Sequence, residues 1–141
     1  MKKSKRILVG LKTLEQAVEL TELACCVGAR GASLLLVHVI ELPDPTPIDA
    51  DVPDLEATAQ KILRTAERVA KRNRLKAKKL IIHARNAGPA ILDELKDKKM
   101  EMGVLGYHHG RSISELVFGT TALHLARKAP CHLLLSIPPA K

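Results

Sequence analysis

Aromatic side chains are almost missing from this 141-residue chain, which has one Tyr, one Phe and no Trp. Its core must therefore be assembled from Leu, Ile, Val and Ala, and recognition of nucleic acid by stacking bases on aromatic platforms is argued against. Long apolar runs are missing too. No stretch approaches the roughly 20 residues that cross a bilayer, so no transmembrane segment is expected. The apolar run behind the basic start, Ile7 to Leu11, stops at Lys12, short of the roughly 7–15 residues of a signal-peptide core. A cytoplasmic location is expected. Cysteine is scarce. Cys25 and Cys26 are adjacent and Cys131 is distant, an odd set without Cys-x-x-Cys, which favours three small buried thiols over disulfides or zinc. Gly-x-Ser-x-Gly elbows and P-loop sequences are also absent, so no catalytic residue is singled out and an enzyme is not expected.

Positive charge, by contrast, is in excess: 23 Lys and Arg stand against 15 Asp and Glu, a net charge of +8. With 46% apolar and 27% charged residues the composition is that of one globular domain, residues 1–141. Six of the nine residues from Lys71 to Lys79 are basic. This run reads as a solvated helix end, with only weak, salt-sensitive attraction to anionic surfaces and no specific nucleic-acid partner.

Hydrophobic periodicity alternates along the chain. Ile7–Leu11, Ser33–Ile40, Leu80–His83, Met102–Leu105 and Cys131–Ile137 are short apolar runs of the kind that form strands covered on both faces. Between them lie helical patterns. The first carries Leu14, Ala17, Val18, Leu23 and Val27, with Leu20 and Ala24 beside them; Thr13 caps it and Gly28 stops it. A proline-rich loop spans Leu42 to Pro53. Asp54 is the expected N-cap of a second helix, with Leu55, Ala59, Ile62, Leu63, Ala66, Val69 and Ala70 on its buried side. Gly88-Pro89 opens a third helix, with Pro89 at its first position and Ile91, Leu92 and Leu95 facing inward. A fourth runs from Thr120 to Lys128. Such alternation predicts an α/β fold, an open five-stranded parallel sheet with helices on both faces.

Ligands of such sheets bind beyond the carboxyl ends of the strands, which directs attention to Lys12, Glu41, residues 84–88 and Gly106 onward. His38, His83, His108 and His109 share that edge, but their spacing matches no ligand pattern and no metal site is expected. Gly106-Tyr107-His108-His109-Gly110-Arg111-Ser112 follows the fourth strand, and Gly119-Thr120-Thr121 opens the next helix. Glycines let backbone N–H groups approach a phosphate, and a helix start adds donors and partial positive charge.

These residues make the chain resemble the universal stress protein family. Gly106 and Gly119-Thr120 keep the span of its Gly-x2-Gly-x9-Gly-(Ser/Thr) motif, and Ile7-Leu8-Val9, Leu36-Val37-His38-Val39 and Ala129-Pro130-Cys131 are similar to family segments. The resemblance implies a Rossmann-like fold of the adenine nucleotide alpha hydrolase type, with strand order 3-2-1-4-5. It implies a homodimer through the C-terminal strand and a bound adenine nucleotide, ATP or AMP, with Mg²⁺ an open matter and at most slow ATP hydrolysis. The implied nucleotide site takes Gly10, Leu11 and Lys12 after the first strand and Val39 and Leu105 beside adenine. Gly106, His108, His109, Gly110, Gly119, Thr120 and Thr121 surround ribose and phosphates. Two departures stand out: His109 occupies the motif's second glycine, with Gly110 one residue later, and Lys12 replaces the acidic residue usual in the family's ATP binders. They leave open a second reading, a dimeric interaction module of the same fold that binds no nucleotide and acts with a membrane transporter.

Overall fold

Strands and helices alternate as the periodicity predicts. A computed structural model describes residues 2–106 and 120–139. In chain order these hold β1 (Ser4–Gly10), α1 (Leu14–Val27), β2 (Gly28–Glu41), α2 (Pro53–Arg72), β3 (Lys76–Ala84), α3 (Ala87–Asp97), β4 (Met102–Gly106), α4 (Thr120–Lys128) and β5 (His132–Ser136). The strands form one sheet in the order β3-β2-β1-β4-β5, and every pair is parallel. The strand order and Rossmann-like layering implied by the family resemblance are thus present.

Each face of the sheet buries its own apolar layer. On one side Ala17, Leu20 and Ala24 of α1 and Ile62, Leu63, Ala66 and Ala70 of α2 pack on Ile7, Val9, Leu34, Leu36 and Val104. On the other side Ile91, Leu92 and Leu95 of α3 and Leu125 of α4 pack on Leu8, Val37 and Leu105. Successive residues of a strand point to opposite faces, so central strands clothed on both sides must be continuously apolar.

Several local readings need correction. Leu14 and Val18 are exposed, because the buried arc of α1 is centred on Ala17, Leu20, Thr21 and Ala24. Leu55 is exposed as well, one turn before the buried stripe of α2 begins at Ala59. The N-cap of α2 is Val52, not Asp54. Proline's fixed φ suits a first helical position, so Pro53 starts the helix and Asp54 falls in its first turn, beside the unpaired N–H groups. Likewise α3 starts at Ala87 with Asn86 as N-cap, and Pro89 sits third, still within the turn whose N–H groups have no helical partner.

Strands β2 and β3 are longer than read. Gly28 does cap α1, its N–H donating to the Ala24 carbonyl, but it also begins β2 by pairing with Ser4. The register then slips between Ser4 and Arg6, and Gly31 (φ 75°) takes up the excursion. The basic run is divided: Lys71 and Arg72 end α2, while Lys76, Lys78 and Lys79 belong to β3, an edge strand. Cys25 and Cys131 are half-buried and Cys26 is exposed, so the expectation of three buried thiols holds for none of them in full. Burial pushes the Cys25 thiol up, with Cys26 and Glu22 adding to it, and burial alone raises Cys131.

Candidate functional site

The chain's path reverses at β1: β2 and β3 lie on one side of it and β4 and β5 on the other. The two directions leave an opening between the carboxyl ends of β1 and β4, where doubly wound sheets hold ligands. A cleft of about 250 Å³ occupies that place. Its lining includes Gly10, Leu11, Lys12, Val39, Leu105, Gly106, Thr120 and Thr121, so the structure brings together eight of the twelve residues singled out from sequence. The other four, His108, His109, Gly110 and Gly119, lie outside the described residues.

Six more residues line the cleft: Gln16, Val37, Glu41, Ala87, Ile91 and Ala122. Gln16 matters most among those that sequence reasoning passed over. Thr13 caps α1 by accepting from the Gln16 N–H at 3.2 Å, and the Gln16 side-chain oxygen accepts the Lys12 N–H at 2.8 Å. This is a capping box shifted by one residue, and Thr-x-x-Gln was its signal in the sequence. The same side chain crosses to β4. A Cβ on Gly106 would stand 2.5 Å from Gln16 Nε2, so a larger residue there would make the Gln16 side chain shift. Gly10 is crowded too, its Cβ position lying 2.9 Å from Leu105 Cδ2 and 3.5 Å from Ile91 Cδ1.

Each wall has its own chemistry. Val37, Val39, Ile91 and Leu105 make an apolar wall, while Gly10 and Gly106 expose backbone. Thr120 and Thr121 bring two hydroxyls and the start of α4, where the helix carries partial positive charge. Lys12 stands exposed on the rim. Opposite, Glu41 at the end of β2 accepts the Ala87 N–H of α3 at 2.9 Å.

The rim is tied down by polar side chains from strand ends. His38 Nδ1 lies 2.8 Å from the Leu11 carbonyl oxygen, which can only accept, so that nitrogen carries the proton. His83 Nε2 is 2.5 Å from a Glu56 oxygen, joining β3 to the first turn of α2. Arg85 gathers the proline-rich loop. Its guanidinium donates to the carbonyls of Leu42 (3.1 Å), Pro43 (3.0 Å) and Thr46, and its Nε lies 3.3 Å from Asp44. His38 thus has a hydrogen-bond partner and His83 a carboxylate neighbour, and among the described residues no group of three His, Cys, Asp or Glu converges on a metal position.

Comparison with known proteins adds to this geometry. No curated protein gives a significant match. Among solved structures, a universal stress protein from Archaeoglobus fulgidus in complex with dAMP is similar at TM-score 0.70 and 18% identity, over 95% of this chain and 98% of that one. A universal stress protein in complex with cAMP is similar at TM-score 0.70 and 16% identity, over 98% and 100%. A family protein from Arabidopsis thaliana with AMP bound follows at TM-score 0.67 and 15% identity, over 96% and 93%. Identities this low speak for the fold alone. The family model of the universal stress proteins, however, matches residues 3–136, and on that match over nearly its whole length the chain belongs to the universal stress protein family.

Proposed function

We propose that this protein is a regulatory, stress-response protein of universal stress type that binds an adenine nucleotide, AMP or ATP, in the β1/β4 cleft and catalyses no reaction beyond slow hydrolysis. One observation carries the reading: apolar side chains suited to a purine, glycine backbone and the positive start of α4 line a single cleft. The similar structures named above hold dAMP, cAMP and AMP, which supports the same ligand class here. The cleft is at the small end for a ligand site, favouring a monophosphate or the nucleoside end of ATP. Lys12 supplies the rim with a cation where a phosphate would otherwise need Mg²⁺. The working state in this reading is a cytoplasmic homodimer joined through β5. Leu133, Leu134 and Leu135 are half-buried on that edge strand, and no charged side chain lies between His132 and Ser136 to guard it.

Native mass spectrometry of the protein as purified, followed by calorimetric titration with AMP and ATP, tests the proposal. A retained or titratable adenine nucleotide is the expected result. Failure to bind either would leave the second reading, a dimeric interaction module that binds no nucleotide.

A further inference from the structure

We infer that the end of the molecule opposite the cleft is a docking face for an anionic bilayer surface. Parallel strands begin there and all helices that follow them end there, so five chain segments converge on it: residues 2–6, 28–33, 71–76, 96–101 and 127–132. Together they hold fourteen Lys and Arg against two carboxylates, Asp97 and Glu101, a net charge of +12. The cleft end is opposite in sign. Residues 10–15, 40–56 and 84–88 hold two cations, Lys12 and Arg85, against seven carboxylates. The protein is therefore electrically polar along the strand axis. β1 alone, with seven residues at about 3.3 Å each, separates the two ends by roughly 23 Å. That exceeds two Debye lengths of about 8 Å in physiological salt, so the acidic end does not cancel the field of the basic one.

Helix dipoles explain only part of this charge. Cations favour helix C-termini, which accounts for Lys71, Arg72, Lys96, Arg127 and Lys128. Sheets have little net dipole, yet Lys2, Lys3 and Lys5 precede or enter β1 and Lys76 opens β3. The cations also span every layer. Lys71 and Arg72 lie on the α1/α2 face, Lys2 and Lys76 at the sheet, and Lys96 and Lys128 on the α3/α4 face. A plane touches all three layers at once. A nucleic-acid groove accepts a projecting helix or ribbon, and this end presents helix ends, turns and strand starts that form no such projection. The large exposed apolar side chains among the described residues, Leu14, Val18, Ile48, Leu55, Leu123 and Ile137, all lie elsewhere. Docking is consequently electrostatic and reversible, with nothing inserted into the bilayer, and it turns the cleft toward solution.

Flotation with lipid vesicles tests the inference, using the full chain and two charge-reversed variants of equal net charge. Lys71→Glu/Lys76→Glu alters the proposed face; Lys61→Glu/Arg64→Glu alters exposed positions higher on α2. The wild type is expected to float with phosphatidylcholine vesicles carrying about one-third phosphatidylserine, not with pure phosphatidylcholine, and to be released by roughly 0.5 M salt. The first variant should lose about tenfold or more in apparent affinity and the second distinctly less. Circular dichroism confirms that both remain folded. Absence of binding to the anionic vesicles, equal losses in the two variants, or efficient competition by duplex DNA at matched phosphate concentration would each overturn the assignment.

Discussion

At the scale of single residues, Thr21 is the least comfortable member of the core. It is fully buried in α1, and its hydroxyl has no hydrogen-bond partner among the described residues. An unpaired buried hydroxyl costs about 1–3 kcal/mol, whereas a methyl of nearly the same shape costs nothing there. Thr21→Val should therefore raise stability by about 1 kcal/mol, measured by chemical denaturation. Under the proposed function, Lys12 is the residue on which ligand chemistry would turn. Its backbone N–H donates to the Gln16 side chain and its own side chain is exposed at the rim. Under the proposed function Lys12→Asp should weaken AMP binding about tenfold without Mg²⁺ and recover part of it when Mg²⁺ is present, since one charge-assisted contact contributes roughly 1.5–3 kcal/mol. Calorimetry on both proteins, with and without the metal, reads this directly; equal affinities throughout would remove Lys12 from the site.

At the scale of elements, long-range ties decide what local pattern leaves open. Arg85 binds three carbonyls of the loop between β2 and α2 and pairs with Asp44. Arg85→Ala should cost about 1–3 kcal/mol and open residues 43–52 to limited proteolysis while the sheet persists. Glu101 ties β1 to the start of β4 by accepting the Lys5 N–H at 2.6 Å and the Arg6 N–H at 3.1 Å. The Lys5 bond is the main cause that holds its carboxyl below the usual range; partial desolvation opposes it, and the Arg6 N–H and the nearby cations add to the lowering. A carboxyl lowered in the folded state stabilises while ionised, so its contribution is present at neutral pH and is lost as pH falls through about 4 and below. Glu101→Gln should flatten the acid limb of a stability–pH curve and leave a difference from wild type that is largest near neutrality. Sequence pattern made the alternation and the α2 stripe from Ala59 to Ala70 legible, because these depend on neighbours a few residues apart, whereas the cleft residues were legible only through the family resemblance and the rule that ligands sit at strand ends. Arg85 was not legible, since its partners lie about forty residues away in a loop without periodicity. The start of β3 was missed for a related reason: Lys76, Lys78 and Lys79 look like a helix tail, and only an edge position makes three lysines reasonable in a strand.

At the scale of the whole molecule the sheet has two unlike margins. β3 presents three lysines; β5 presents leucines and no charge. Under the proposed pairing, two chains related by a twofold axis join β5 to β5 and consume both unguarded margins in one self-complementary contact. What remains outermost on either side is β3, where lysine meets lysine and a further copy is repelled. Sedimentation at micromolar concentration should accordingly show one species of twice the chain mass with no ladder above it; a monomer alone would sink the pairing, and a ladder would sink its closure. Under that pairing the difference between the two margins would fix a number as well as a partner: point-group symmetry would end the assembly at two, and the same lysines that make β3 look so unlike a strand would oppose growth into a fibre.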